Sequence, residues 1–296
     1  MQQQKIHLRE KPIKEGVYYI VVMRLETKKL ETKFGSIVYY LHTNSSQPLV
    51  NLYIHGLGDN RKWFLKHFQS YSLNRFSWIV PDLLGHGDSS KSNDINAYSM
   101  EQQAKYLAAI LEKEHVEHLS ILAHSMGGAI AVSLVELLHS KKKTNSDVRV
   151  LFYLEGNLDA GDAFFSSMFA KKTLTEFEQD FDEICDKMLS EPDDQSMIDY
   201  VAAFREAGPF TIWASSKDLA PISIEGTLLN RLLTHRDFEC YFIFGEKNKG
   251  HLSSEKLVRD AQLPLLFIPN AGHGLHTENP SYFWKIVGDL IQEKNR

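Results

Sequence analysis

Ser125 has the clearest chemical setting of any side chain in this sequence. An apolar run over residues 119–123, typical of a buried strand, passes through Ser125 into Gly127, Gly128 and a helical run over residues 129–138. So abrupt a turn from strand to helix strains the residue at its tip and requires small neighbours. The A-H-S-M-G sequence is close to G-x-S-x-G. It predicts a nucleophile elbow that exposes the Ser125 hydroxyl at a helix N-terminus, where backbone amides can stabilise negative charge.

Residues able to assist a serine nucleophile follow other predicted strands. Glu155, Glu246 and His273 each come directly or shortly after an apolar run with strand character. Since the carboxyl ends of parallel strands share one edge of a sheet, these side chains are expected near Ser125. A serine, a carboxylate and a downstream histidine would supply a nucleophile, an orienting acid and a base, in that chain order.

Strand and helix signals alternate along most of the chain. The predicted strands are residues 17–25, 36–42, 49–54, 76–80, 119–123, 148–154, 240–244 and 265–268. The first two are expected to pair antiparallel, joined near Lys28 and Lys29. The alternation with helices predicts an α/β protein with a mostly parallel sheet covered on both faces.

One long segment breaks this alternation. Residues 158–233 show helical patterns and no convincing buried strand. We therefore predict a core domain of residues 1–157 and 234–296, with residues 158–233 inserted as a helical cap. Phe164 and Phe165, early in this cap, could line a substrate pocket or pack the cap onto the core.

The composition excludes several classes of function. The 296 residues carry a formal net charge of -5 without an aromatic and basic pattern, so no nucleic-acid partner is expected. The chain begins without an apolar signal segment, has no apolar run of membrane-spanning length and contains 2 cysteines, which together predict a cytoplasmic protein with no membrane span. No metal-ligand spacing occurs, so neither metal nor cofactor is expected. The oligomeric state stays open.

Four motifs together resemble the α/β-hydrolase fold superfamily over nearly the whole chain. They are H-G-L-G at 55–58, D-L-L-G-H-G-D-S at 82–89, A-H-S-M-G at 123–127, and A-G-H at 271–273 with E-N-P at 278–280. The resemblance implies the α/β-hydrolase fold, a mostly parallel central sheet flanked by helices with the cap inserted after the strand ending near Glu155. It also implies that His273 is the base and that the amides of Leu57 and Met126 form an oxyanion hole.

The acid departs from the commonest pattern of this superfamily. Most relatives carry an aspartate where this chain has Asn248, and an asparagine cannot stabilise an imidazolium with a full negative charge. The stretch around Glu155 is similar to the haloalkane dehalogenase and coelenterazine luciferase branch, in which the acid follows this earlier strand. Glu155 is therefore the predicted acid, and Glu246 is the alternative.

These residues predict a serine hydrolase that cleaves a small-molecule carboxylic ester, thioester or lactone through an acyl-enzyme on Ser125. A carbon–carbon bond hydrolase with the same triad is an alternative. A non-catalytic ligand-binding protein of the same fold is another, suggested by Asn248. Dehalogenase and epoxide hydrolase activities are disfavoured, because both would need a carboxylate at position 125. The candidate substrate contacts are His55, His124, Phe164 and Phe165.

Overall fold

An eight-stranded, mostly parallel sheet forms the centre of the molecule, with strand order β1-β2-β4-β3-β5-β6-β7-β8. The computed structural model describes residues 25–140, 146–189, 194–235 and 237–295. The strands are β1 (Glu26–Thr32), β2 (Gly35–His42), β3 (Leu49–Ile54), β4 (Ser77–Pro81), β5 (His118–His124), β6 (Asp147–Leu154), β7 (Glu239–Gly245) and β8 (Leu265–Ile268). The pairs β1–β2 and β2–β4 are antiparallel and the others are parallel. The predicted sheet is thus confirmed.

The first strand differs from the prediction. The antiparallel partner of β2 is β1, whose register pairs Lys28 with Tyr39 and Lys29 with Val38. The two lysines therefore lie within a strand and not in a connection, and most of the strand predicted over residues 17–25 falls outside the described residues. The error has a physical cause, because β1 is an edge strand. Edge strands carry lysines that discourage further pairing, so they lack the apolar signal of central strands.

Helices cover both faces of the sheet. In the described part of the chain they are α1 (Lys62–Ser70), α2 (Met100–Lys113), α3 (Met126–Ser140), α4 (Phe164–Ala170), α5 (Leu174–Met188), α6 (Gln195–Ala207), α7 (Pro209–Glu225), α8 (Leu228–Thr234), α9 (Ser253–Asp260), α10 (Leu275–Glu278) and α11 (Pro280–Lys294). Phe64 of α1 and Trp284 of α11 are buried on one face with Trp78, while Leu107 of α2 and Ile130 of α3 are buried on the other. None of the helices in the described segments is both long and apolar enough to cross a membrane.

Five helices, α4 to α8, separate β6 from β7, and the described residues between these two strands contain no strand. Two contacts fasten this helical segment to the sheet-flanking helices. The Asp218 carboxylate of α7 accepts a hydrogen bond from the Met100 amide at 2.7 Å, at the start of α2. Arg231 of α8 donates two hydrogen bonds to the Glu136 carboxylate of α3, at 2.8 and 2.7 Å. The segment is therefore anchored through α7 and α8, in its C-terminal half.

Candidate active site

Ser125 occupies the tight connection between β5 and α3. Its φ of 53° lies in the left-handed region, which costs a non-glycine residue on the order of 1–3 kcal/mol. The amide of Ser125 donates to the Leu154 carbonyl at 3.1 Å, which fixes the tip of the turn against β6. A Cβ at Gly127 would lie 2.4 Å from the Ile54 carbonyl oxygen, and one at Gly128 would lie 2.6 Å from the Tyr153 ring. The small residues are thus required for packing.

His273 and Glu155 meet at the carboxyl edge of the sheet. The Nδ1 atom of His273 lies 2.9 Å from the Oε2 atom of Glu155, whose side chain is only 1% exposed. Because a carboxylate can only accept, Nδ1 carries the proton and donates it, which leaves the Nε2 lone pair available as a base. The His273 side chain is 56% exposed, so the pair combines a buried acid with an accessible imidazole.

Glu246, the alternative acid, is placed differently. Its side chain is exposed and accepts a hydrogen bond from the Asn270 amide at 3.2 Å. Among the described residues it makes no hydrogen bond to His273. The geometry thus pairs His273 with Glu155 and not with Glu246.

The loop that carries His273 is held by Glu278, a residue whose role the sequence analysis left unassigned. The Glu278 carboxylate accepts from the amides of Gly272 and Gly274, at 2.9 and 3.1 Å, on either side of His273. Burial acts to raise the pKa of Glu278, but hydrogen bonds from Lys247 and these amides outweigh it and lower the pKa overall. An acid five positions after a histidine gives no signal by itself, because the loop conformation decides whether the two meet.

The amides of Leu57 and Met126 are expected to form an oxyanion hole. Met126 is the first residue of α3, so its amide has no partner within the helix. Leu57 follows β3, and a Cβ on the preceding Gly56 would lie 3.0 Å from the Cβ of Ser125. The hydroxyl of Tyr200, on α6, donates to the Leu57 carbonyl at 3.0 Å. The helical segment therefore contacts this loop directly.

His55 makes two hydrogen bonds to the loops around it. Its Nε2 accepts from the Leu83 amide at 3.0 Å, and its Nδ1 then donates to the Gly56 carbonyl at 2.7 Å. Both ring nitrogens are occupied and the side chain is buried. Burial, followed by the neighbouring His86, holds the pKa of His55 well below its ordinary value. His55 therefore has no free ring nitrogen, and its contact with substrate stays a prediction.

His124 holds the backbone of His273 through a hydrogen bond. Its Nε2 donates to the His273 carbonyl at 2.8 Å, and the two rings are 4.8 Å apart. Burial and the neighbouring His273 lower the pKa of His124 to about 3, so the ring is neutral and its Nδ1 is an acceptor. This Nδ1 is buried and has no hydrogen-bond partner among the described residues.

The same imidazole belongs to a group with metal-ligating potential. Ligand atoms of Asp59, His124 and His276 lie within 4.8 Å of one another. Tetrahedral zinc, with bonds of about 2.0 Å, brings its ligand atoms to about 3.3 Å from one another, so a bound ion would draw these side chains together. The described residues hold no other group of three such side chains at this spacing.

Phe164 and Phe165 begin α4 and are 70% and 51% exposed. Their rings contact one another, with centroids 5.3 Å apart. Such exposure favours a pocket-lining role over packing of the helical segment onto the core. Both rings remain available to contact a ligand.

Comparisons with known proteins support this arrangement at the level of fold. A family profile described as alpha/beta hydrolase fold matches residues 52–145. Lipase 1 of Psychrobacter immobilis is 32% identical over 111 residues, which cover 37% of this chain and 34% of the lipase. The chain spans about a third of the length of the curated relatives it matches.

Solved structures match over nearly the whole chain. The N-acyl homoserine lactonase AidH, in complex with N-butanoyl homoserine, has a TM-score of 0.70 and 16% identity, covering 92% of this chain and 98% of that chain. A thermophilic esterase from Thermogutta terrifontis, with malate bound, has a TM-score of 0.69 and 18% identity, covering 92% and 100%. Together with the strand order and the turn at Ser125, these matches lead to one conclusion. The chain has the α/β-hydrolase fold.

Proposed function

We propose that this protein is a serine hydrolase that cleaves a carboxylic ester, thioester or lactone through an acyl-enzyme on Ser125. The observation that carries the proposal is the hydrogen bond between His273 and the buried Glu155, at the sheet edge to which the Ser125 turn also belongs. A buried carboxylate bonded to Nδ1 holds the imidazole in the tautomer that a base requires.

The proposed reaction has two halves. Ser125 Oγ attacks the carbonyl carbon while His273 Nε2 takes its proton, and the amides of Leu57 and Met126 stabilise the oxyanion. The carbonyl re-forms, the bond to the leaving oxygen or sulfur breaks, and the leaving group takes the proton from His273. A water molecule, deprotonated by the same imidazole, then attacks the acyl-enzyme. The bond to Ser125 Oγ breaks, His273 returns the proton to this oxygen, and the acid is released. Glu155 stabilises the imidazolium in both halves.

The helical segment is the proposed cap, with residues 158–233 as its bounds and residues 1–157 and 234–296 as the core domain. The hydrogen bond from Tyr200 to the Leu57 carbonyl supports this, because it links the segment to the proposed oxyanion loop. The exposed rings of Phe164 and Phe165 suit contact with an apolar part of the substrate. His124 is proposed to act by supporting His273.

The relatives favour esters among the possible substrates. A lipase, an esterase and a lactonase are among the proteins similar to this chain, and each of these names describes hydrolysis of an ester-type bond. The non-catalytic alternative was suggested by Asn248. The contact between Glu155 and His273 favours an enzyme, because it provides a carboxylate in place of the missing aspartate.

Active-site labelling tests the proposal. We expect a fluorophosphonate probe to label the protein covalently, and we expect Ser125→Ala to abolish labelling. Ser45→Ala, at an exposed serine, is the matched control and should label normally. Labelling that persists in Ser125→Ala, or an unlabelled wild-type protein, would contradict the acyl-enzyme mechanism.

A further inference from the structure

The side chain of Asn248 contacts both oxygens of Glu155. Its Nδ2 lies 3.1 Å from Oε1 and 2.9 Å from Oε2, and the Gly245 amide donates to Oε1 at 2.6 Å. His273 binds Oε2 from the other side. The Glu155 carboxylate is therefore held by neutral donors on one side and by the His273 imidazole on the other, and these contacts fix its orientation.

The backbone around Asn248 is itself well held. It lies at the end of a short 3-10 turn after β7, where the Lys247 amide donates to the Ala271 carbonyl at 3.0 Å. The His251 amide donates to the Asn248 carbonyl, also at 3.0 Å. Because the strand β7 neighbours β6 in the sheet, this turn lies beside the residue that follows β6, which is Glu155. Asn248 can thus act as a fixed donor.

We propose that Asn248 is a positioning residue that orients the Glu155 carboxylate toward His273. The inference rests on the proposed function. Glu155 itself needs such support, because its backbone has a φ of 39° and its side chain is almost fully buried. An amide suits this position where an aspartate would not. A second carboxylate at this distance would repel the first.

A series at position 248 tests this inference. Asn248→Ala removes the donor, and we expect kcat to fall by about tenfold or more with KM nearly unchanged, as is typical when a group that orients a reactive side chain is lost. Asn248→Asp should cost more at neutral pH. It should also move the acid limb of the kcat/KM profile to higher pH, because added negative charge stabilises the protonated imidazole. Asn230→Ala, an exposed asparagine on α8, is the control and should change neither quantity.

A double variant that exchanges the acid and the amide distinguishes a positioning role of Asn248 from a merely structural one. Glu155→Gln combined with Asn248→Asp restores one carboxylate and one amide with their places reversed. We expect this double variant to exceed Glu155→Gln alone by about tenfold in kcat. A structural role predicts no such rescue. Asn248→Ala within twofold of wild type, or a double variant no better than Glu155→Gln, would overturn the inference.

A spectroscopic readout keeps the inference testable if the proposed function fails. The proton shared by His273 and Glu155 should give a low-field NMR signal in the wild-type protein. We expect that signal to be lost or broadened in Asn248→Ala and unchanged in Asn230→Ala. A wild-type protein that no fluorophosphonate labels would refute the proposed hydrolase. An unaltered low-field signal in Asn248→Ala would refute the positioning role by itself.

Discussion

Two buried carboxylates each follow a parallel strand of the same sheet, yet their surroundings differ. Asp82, after β4, accepts from the amides of Arg61 and Asp88, both at 2.7 Å, and forms an ion pair with the Arg61 guanidinium. Glu155, after β6, is bonded by neutral donors and by the His273 imidazole. A guanidinium keeps its charge at all relevant pH values, whereas an imidazole gains and loses a proton.

The comparison indicates that Asp82 has a structural role and that Glu155 has a chemical one. Burial raises the pKa of Asp82 and outweighs the opposite effect of Arg61. Both oxygens of Asp82 accept hydrogen bonds from Arg61 or Asp88, so its role is to stabilise the loop after β4. Glu155 is bonded to a group that can change its charge. We therefore expect changes at Glu155 to affect turnover and changes at Asp82 to affect stability.

The largest expected effect is that of Glu155→Gln on turnover. An amide cannot stabilise the imidazolium or enforce its tautomer, and such a change can lower kcat about ten-thousand-fold. Hydrolysis of one activated ester at neutral pH measures it. Glu246→Gln, at the exposed alternative acid, should stay close to wild type because its charge is screened by solvent. Collapse in Glu246→Gln with normal turnover in Glu155→Gln would reverse the assignment.

Asp82→Asn should mainly destabilise the fold. It leaves the buried Arg61 guanidinium without its nearest partner, and breaking such a pair typically costs about 3–5 kcal/mol of unfolding free energy. Urea unfolding measures this loss, and turnover per folded molecule should change far less than in Glu155→Gln. Asp88→Asn is the control. It removes the half-exposed partner of Arg61 and should cost less than about 1 kcal/mol. Equal losses of unfolding free energy in Asp82→Asn and Asp88→Asn would contradict the structural role of Asp82.

A smaller effect, and one that depends on pH, is expected from His124. Its pKa is about 3 in the folded protein and about 6.5 when unfolded, so the unfolded chain takes up a proton first as the pH falls. Its contribution to stability is complete above pH ~6.5 and is lost below it. Between pH 7 and 5, wild type should therefore lose about 2 kcal/mol more than His124→Asn in unfolding free energy. Parallel losses would show that His124 is protonated in the folded state.

The smallest expected effect concerns Tyr200→Phe. The change removes one hydrogen bond to the Leu57 carbonyl, worth about 0.5–1.5 kcal/mol, and so should reduce kcat only a few-fold. Turnover and thermal unfolding together measure it. Tyr282→Phe, at a partly exposed tyrosine of α11, should change neither. A loss as large as that of Glu155→Gln would mean that the helical segment controls the site far more strongly than this contact indicates.

The sequence predicts the central strands and the turn at Ser125 well, because both depend on local patterns. Residues 49–54 and 265–268 match β3 and β8, since both strands are short apolar runs. The edge strand β1 lacks that pattern and was missed. The contact between Asn248 and Glu155 joins loops 93 positions apart, so no local signal reveals it. The burial of His55 likewise depends on its partner Leu83, in another loop.

The exposure of His273 has a consequence for how its imidazole exchanges protons with water between turnovers. A buried base exchanges protons with solvent only through a relay of side chains or ordered water molecules. Proton transfer along this relay can limit the rate of exchange. More than half of the His273 side chain is open to water, while its acid is sealed beneath it. The imidazole can therefore exchange protons with the bulk solvent directly. The turnover rate should then not depend on buffer concentration.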